Sequence, residues 1–283
     1  MTMPSVAIVM PCFDEDPSNL AESVRSARTQ TYANSELVIV DDGSSRPDTL
    51  RALKSLQEDG LRIIRQENGG PASARNAGIR ASSVDFILPL DSDDIINTEF
   101  VSAAVCTMIE TNPRPRFVYS DVERFGGVNQ LFVGDPELRL HDIFATNRAA
   151  STALYDRREW ERVGGYDEQL RHGVEDYDFW IRLLLREGFA KKAAGALLRY
   201  RIAPGRRSER VDDGGDATTT TRNRILETCS EDLPELVKAG WECADDLRQE
   251  LERATSWKRA LKRRVGPLLP LLRKARRRIG PAA

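Results

Sequence analysis

The sequence predicts an α/β architecture: an open, mostly parallel, twisted sheet flanked by helices, followed by a helical, basic C-terminal extension. Three observations predict it. Short, continuous apolar runs recur at Val6–Met10, Leu37–Val40 and Phe86–Leu90, the pattern of strands buried on both faces, and Leu61-Arg62-Ile63-Ile64 makes a further strand between the second and the last of these. Stretches of helical period separate them, which places successive strands parallel. Each run ends in a turn rich in acids, Gly, Pro or Ser, and right-handed crossovers bring the turns after Met10, Val40 and Leu90 to one edge of the sheet.

Taken in order, Val6–Met10 stops at Pro11 and opens into the polar turn Cys12–Ser18. Leu20, Val24 and Ala27 then repeat at helical spacing behind a Ser18 or Asn19 cap. The second strand ends in Asp41-Asp42-Gly43-Ser44-Ser45, and Pro47 opens a helix to Glu58 at a favoured first-turn position. After the third strand, Asn68-Gly69-Gly70-Pro71 is a turn and Ser73–Ala81 a helix. The strand over Asp85–Leu90 delivers three carboxylates in four residues, Asp91-Ser92-Asp93-Asp94. Downstream, Thr98–Glu110 is helical, Phe117–Tyr119 a strand, and 126–147 loops with a short helix. Ser151–Tyr155 reads as a strand, Arg157–Val163 and Glu175–Glu187 as helices, and Leu197–Ile202 as a final strand. Residues 204–216 read as a loop. The domain division expected is 1–215 for the catalytic body and 216–283 for a helical extension.

Of 283 residues, 40% are hydrophobic and 30% charged, enough for one large core or two smaller ones. A net charge of -2 hides an asymmetry. Residues 258–283 hold ten Lys or Arg and no acid, leaving 32 basic against 44 acidic residues elsewhere. The four cysteines show neither C-x-x-C pairing nor zinc spacing with the two histidines, as expected of a reduced, cytoplasmic setting. The N-terminus has no signal-peptide pattern, and no apolar run is long enough to span a bilayer.

Several chemistries lack their motifs. No G-x-G-x-x-G follows the first strand, no P-loop exists, and G-x-S-x-G is absent. What remains is carboxylates at strand ends, where open α/β sheets place their ligand sites. Three acids so close repel one another unless a cation sits among them, and Mg²⁺ or Mn²⁺ suits carboxylates supplemented by phosphate oxygens. Helix capping by the same acids is the competing reading.

The turns taken together resemble the family 2 glycosyltransferases, which use the GT-A fold. The resemblance rests on Met10-Pro11-Cys12-Phe13-Asp14-Glu15, Val40-Asp41-Asp42-Gly43-Ser44, and Asn68-Gly69-Gly70 with Ala74-Arg75-Asn76-Ala77-Gly78. It continues through Leu90-Asp91-Ser92-Asp93-Asp94, Gly164-Gly165-Tyr166-Asp167-Glu168 and Glu175-Asp176-Tyr177-Asp178-Phe179-Trp180. Each piece alone is weak; six in order over about residues 5–205 are specific.

The resemblance implies an inverting, metal-dependent transferase acting on a UDP-, dTDP- or GDP-linked sugar. Pro11, Phe13, Glu15, Asp42, Arg75, Asp91 and Ser92 would line the nucleotide-sugar, with Phe13 against the base and Asp42 accepting from it. Arg75 would lie near base and ribose. Asp93, with Asp94, would hold the metal. Asp176 would act as general base, with Glu175 orienting it or lining the acceptor site. At a helix N-terminus such a carboxylate is expected to be a weak base. Trp180 either stacks on an acceptor sugar or belongs to the core. The family's strand often reads Y-R-x-H; here Tyr200-Arg201-Ile202-Ala203 lacks the histidine, so Arg201, Arg206 or Arg207 is a candidate for neutralising the diphosphate.

In the tail, Trp257, Leu261, Val265 and Leu268 interleave with the basic residues, a pattern suited to an anionic membrane surface rather than nucleic acid. The expectation is a peripheral enzyme at the inner face of the plasma membrane, working on a glycan or lipid-linked acceptor. A catalytically inactive scaffold on the same fold is the alternative. A nucleotidyltransferase would want a Gly-rich basic loop where Cys12–Ser18 is acidic.

Overall fold

A computed structural model describes residues 3–127, 129–144, 146–171, 174–202 and 216–265, with side chains left undescribed at 216–220 and 254–265. The order of elements follows the sequence pattern closely. Strands β1 (Val6–Cys12), β2 (Ser35–Asp41), β3 (Arg62–Arg65) and β4 (Phe86–Pro89) alternate with helices α1 (Pro17–Arg28), α2 (Pro47–Glu58) and α3 (Pro71–Ala81). Then come β5 (Ile95–Ile96), α4 (Phe100–Glu110), β6 (Phe117–Phe125), β7 (Gln130–Phe132), β8 (Glu137–Arg139) and α5 (Leu140–Phe144). The body closes with β9 (Leu154–Asp156), α6 (Arg157–Arg162), α7 (Glu175–Leu184) and β10 (Phe189–Arg201). Helices α8 (Asp216–Thr228) and α9 (Leu233–Val265) follow.

The strands form one sheet in the order β3-β2-β1-β4-β9-β6-β10-β5, with β7 on β6 and β8 on β10. The pairs β1/β2, β1/β4, β2/β3 and β6/β10 are parallel, while β9 runs antiparallel between β4 and β6. β1 shows why its run is unbroken. Val6, Ile8 and Met10 pack with Leu20, Val24, Phe100 and Val105 on one face, whereas Ala7 and Val9 pack with Ile79 and Phe179 on the other. The first part of the C-terminal extension shares the second core, through Ile225, Cys229, Leu236 and Ala239.

Three departures from the sequence reading have local causes. Asp16, not Ser18 or Asn19, caps α1: its carboxylate accepts from the Ser18 N–H, with Pro17 opening the helix. β10 starts eight residues earlier than expected. Its first half runs through Ala193-Ala194-Gly195-Ala196, which carries no β-branched signal, and the register with β6 shifts between Lys192 and Leu197. The two-residue strand β5 is too short to have a period.

The close approach of α3 to the sheet depends on Gly78. An added Cβ there would lie 2.5 Å from Val9 Cγ1 and 3.1 Å from Val40 Cγ2. Gly78→Ala is expected to cost about 1–3 kcal/mol of stability through overpacking. A lower urea midpoint at unchanged slope would read this directly; an unchanged midpoint would mean that the helix lifts freely.

Candidate functional site

The carboxyl ends of β1, β2 and β4 converge as their parallel registers require, and the loops that follow are stitched together. Asp42 N–H donates to Cys12 O, and Leu90 N–H to Val9 O. The Asp14 carboxylate accepts from the N–H groups of Ser45 and Arg46, tying the first loop to the second. Gly43 adopts φ +78°, and a Cβ there would meet Asn68 N at 2.8 Å, so the tight D-D-G-S turn needs glycine. Asp41 is spent on structure, accepting from Ser44 N–H and pairing with Arg65.

Phe13 stands 52% exposed at the lip, an apolar face open to solvent. Pro11 is partly buried at the end of β1, and Glu15 is turned sideways, accepting from Asp16 N–H and Asn19 Nδ2. Asp42 is buried and shapes the N-G-G turn: Oδ1 accepts from Gly69 N–H and Gln66 Nε2, Oδ2 from Gly70 N–H. A carboxylate has about four lone-pair sites, so one remains.

In the acidic turn the residues separate by exposure. The Asp91 side chain is partly exposed; Oδ1 accepts from Arg75 and Oδ2 from Ser151 Oγ at 3.2 Å. Ser92 is buried and Asp93 is partly exposed. Asp94 differs from its expected place at a metal. It is 1% exposed and turned into the fold, its Oδ1 accepting from the Arg201 backbone N–H, and burial together with Asp91 pushes its pKa up. The partly exposed carboxylates of the turn are therefore those of Asp91 and Asp93. Among the described residues no group of three His, Cys, Asp or Glu surrounds a common point, so a hard cation here needs further ligands from phosphate and water, as Mg²⁺ accepts.

Arg201 is committed to that turn. Its Nε donates to Asp93 O, its guanidinium pairs with Glu22 at 2.6 Å, and it lies 4.5 Å over the Phe125 ring. Arg206, Arg207 and Ala203 lie outside the described residues.

Across from the acidic turn, and joined to it through Arg75, α7 begins at Glu175. Arg75, expected near base and ribose, is 2% exposed. It bridges Glu175 Oε1 at 2.5 Å and Asp91 Oδ1 at 2.7 Å. Glu175 is buried in that bridge. Asp176, one residue on, is partly exposed; Oδ1 accepts from Tyr177 N–H and Oδ2 from Asn147 Nδ2 at 3.1 Å. Its pKa is pushed up to about 7, chiefly by burial and then by Glu175, against the opposing pull of Arg75. The expectation of a weak, dipole-depressed base is thereby reversed: desolvation and a like charge outweigh the helix terminus. Trp180 resolves to the core reading. It is 0% exposed and stacked 4.4 Å from Phe117, out of reach of any acceptor.

Asn147, Ser151 and Gln66 are site contacts that the sequence pattern did not single out; isolated polar residues in loops carry no periodicity. Conversely, two of the six motif pieces serve structure. Asn76 Oδ1 accepts from Trp160 Nε1 and Tyr166 N–H, while its Nδ2 donates to Tyr166 O and Glu168. A Cβ at Gly165 would meet Asn76 Oδ1 at 2.9 Å. The A-R-N and G-G-Y-D-E stretches thus interlock.

With this geometry in place, comparisons with known proteins are informative. The model of the family described as glycosyl transferase family 2 matches residues 7–151. An N-acetylglucosaminyltransferase of Bradyrhizobium elkanii is 37% identical over 112 residues, 38% of this chain and 62% of that protein. An uncharacterized glycosyltransferase of Haemophilus influenzae is 30% identical over 190 residues, 65% of this chain and 73% of that one. The S. aureus TarS 1-349 structure in complex with UDP superposes with a TM-score of 0.57 at 21% identity, covering 71% of this chain and 61% of that one, a likeness of fold. The chain spans 23% to 62% of the length of the first curated relatives it matches. No helix among the described residues is long and apolar enough to cross a membrane.

Proposed function

Because this chain belongs to glycosyl transferase family 2, we propose that it moves a sugar from a nucleoside-diphosphate carrier to an acceptor hydroxyl with inversion at the anomeric carbon. The observation that carries the reading is Asp176: a partly exposed carboxylate with a pKa of about 7, joined through Glu175 and Arg75 to Asp91. A general base works best when its pKa lies near the operating pH. In the proposed step Asp176 takes the acceptor hydroxyl's proton as that oxygen attacks the anomeric carbon. The bond to the diphosphate breaks with its electron pair leaving on the phosphate oxygen, and no covalent enzyme intermediate forms.

Phe13 offers the base a stacking face, and the remaining lone pair of Asp42 suits a pyrimidine N–H. Asp91 and Asp93 would hold Mg²⁺ or Mn²⁺ with the diphosphate; when bound, the ion supplies charge neutralisation for the leaving group. A uridine diphosphate sugar is the proposed donor. S. aureus TarS has been solved with UDP and with UDP-GlcNAc, and the B. elkanii relative is an N-acetylglucosaminyltransferase. A glycan or lipid-linked acceptor in envelope polysaccharide or glycolipid synthesis, approached from an anionic membrane surface, completes the proposal. The basic residues that would make that contact from position 266 onward lie outside the described residues.

Calorimetric titration with UDP, UDP-GlcNAc, GDP and dTDP, each with Mn²⁺ and with EDTA, tests this. Binding of the uridine nucleotides that weakens in EDTA is the expected result. Equal binding in EDTA would remove the metal from the proposal. No nucleotide binding would leave the inactive scaffold.

A further inference from the structure

Helix α9 is 33 residues long, and among its described side chains those near its beginning are seated on the body. Leu236 and Ala239 enter the core, and a Cβ at Gly240 would touch Phe144 at 3.2 Å. From Ala244 to Arg253 every residue is exposed. Along the outer side runs an apolar row, Leu233, Val237, Trp241, Ala244 and Leu247, with Trp241 72% and Leu247 56% exposed. Steps of four, four, three and three keep the row on one helical face, and Leu251, Ala254, Leu261 and Val265 continue the spacing in the sequence. A seam this long does not stay in water without cost.

The charges along the same helix select what covers the seam. Residues 242–252 hold five acids (Glu242, Asp245, Asp246, Glu250, Glu252) and one base, Arg248. An anionic bilayer would repel this stretch. Residues 253–264 hold six bases (Arg253, Lys258, Arg259, Lys262, Arg263, Arg264) and no acid. Each half of the helix therefore complements the other half and repels its own kind. A parallel pair would set acid beside acid and base beside base, whereas an antiparallel pair matches both halves at once.

We infer that α9 pairs antiparallel with α9 of a second copy of this chain, burying the row through Trp241 and Leu247. The dimer places two catalytic bodies at opposite ends of a short two-helix rod. This inference is independent of the donor chemistry, since its readout is mass and not transfer.

Sedimentation equilibrium of the full chain tests it, with carbodiimide cross-linking of mixed isotope-labelled and unlabelled chains to give direction. A dimer is expected, loosened by salt. Trp241→Glu with Leu247→Glu should raise its dissociation constant by about 30-fold or more, with far-UV circular dichroism of the body retained. Cross-links should join an acid between 245 and 252 of one isotope to Lys258 or Lys262 of the other. A monomer at all concentrations, or a dimer that survives the double substitution, would overturn the inference. So would interchain cross-links confined to near neighbours in sequence, such as Glu252 with Lys258, as a parallel pair would give, or a monomer whose α9 binds anionic vesicles instead.

Discussion

Asp176→Asn is expected to lower turnover about a thousandfold while leaving nucleotide affinity nearly unchanged, the range for losing a positioned general base. The wild-type profile should carry the signature of the same carboxylate. Its pKa of about 7 lies well above the ordinary aspartate range because burial and the adjacent Glu175 disfavour its charge. The sign follows: only the ionised form accepts a proton, so activity is half-maximal near pH 7, reaches its plateau about one unit above and falls about tenfold per unit well below it. In the Asn variant that limb should vanish. Steady-state kinetics across pH, with donor binding measured separately, decides the matter. Loss of donor binding with turnover preserved, or an acid limb that survives in the variant, would assign the base elsewhere.

Much of this arrangement was legible in the sequence, because buried parallel strands announce themselves as unbroken apolar runs and their turns carry the chemistry. β1, β2 and β4 are such runs, and their ends meet where Phe13, Asp42 and Asp91 stand. β10 was half hidden, since its alanine- and glycine-rich start looks like neither strand nor helix. The burial of Trp180 and the state of Asp176 were hidden for a different reason. Helical spacing says which residues share a face but not what lies above it. The N-terminal position of Asp176 suggested a lowered pKa, whereas the side chains packed around it raise it. Arg75 was legible as a motif residue, but the motif could not show that its partners are sixteen and one hundred residues away.

That bridge carries the second large expectation. Arg75 is buried, and its guanidinium is the described cation between Glu175 and Asp91. Its burial is costly, but both carboxylates raise its pKa, so it stays charged. Arg75→Met removes the cation and leaves two carboxylates facing one another across an apolar side chain. Breaking a buried pair in this way costs about 3–5 kcal/mol, which should appear as a lower urea midpoint. Arg75→Lys is the more telling variant, because it keeps the charge yet cannot fork to two acids. It should fold, bind nucleotide and lose turnover. Arg75 also pulls the Asp176 pKa down; a lysine that sits further from Asp176 therefore moves the acid limb of the activity profile to higher pH. A role confined to holding the fold together would lower stability without moving that limb. If Arg75→Met is as stable as the parent chain and its pH profile is unshifted, the bridge neither supports the fold nor tunes the base.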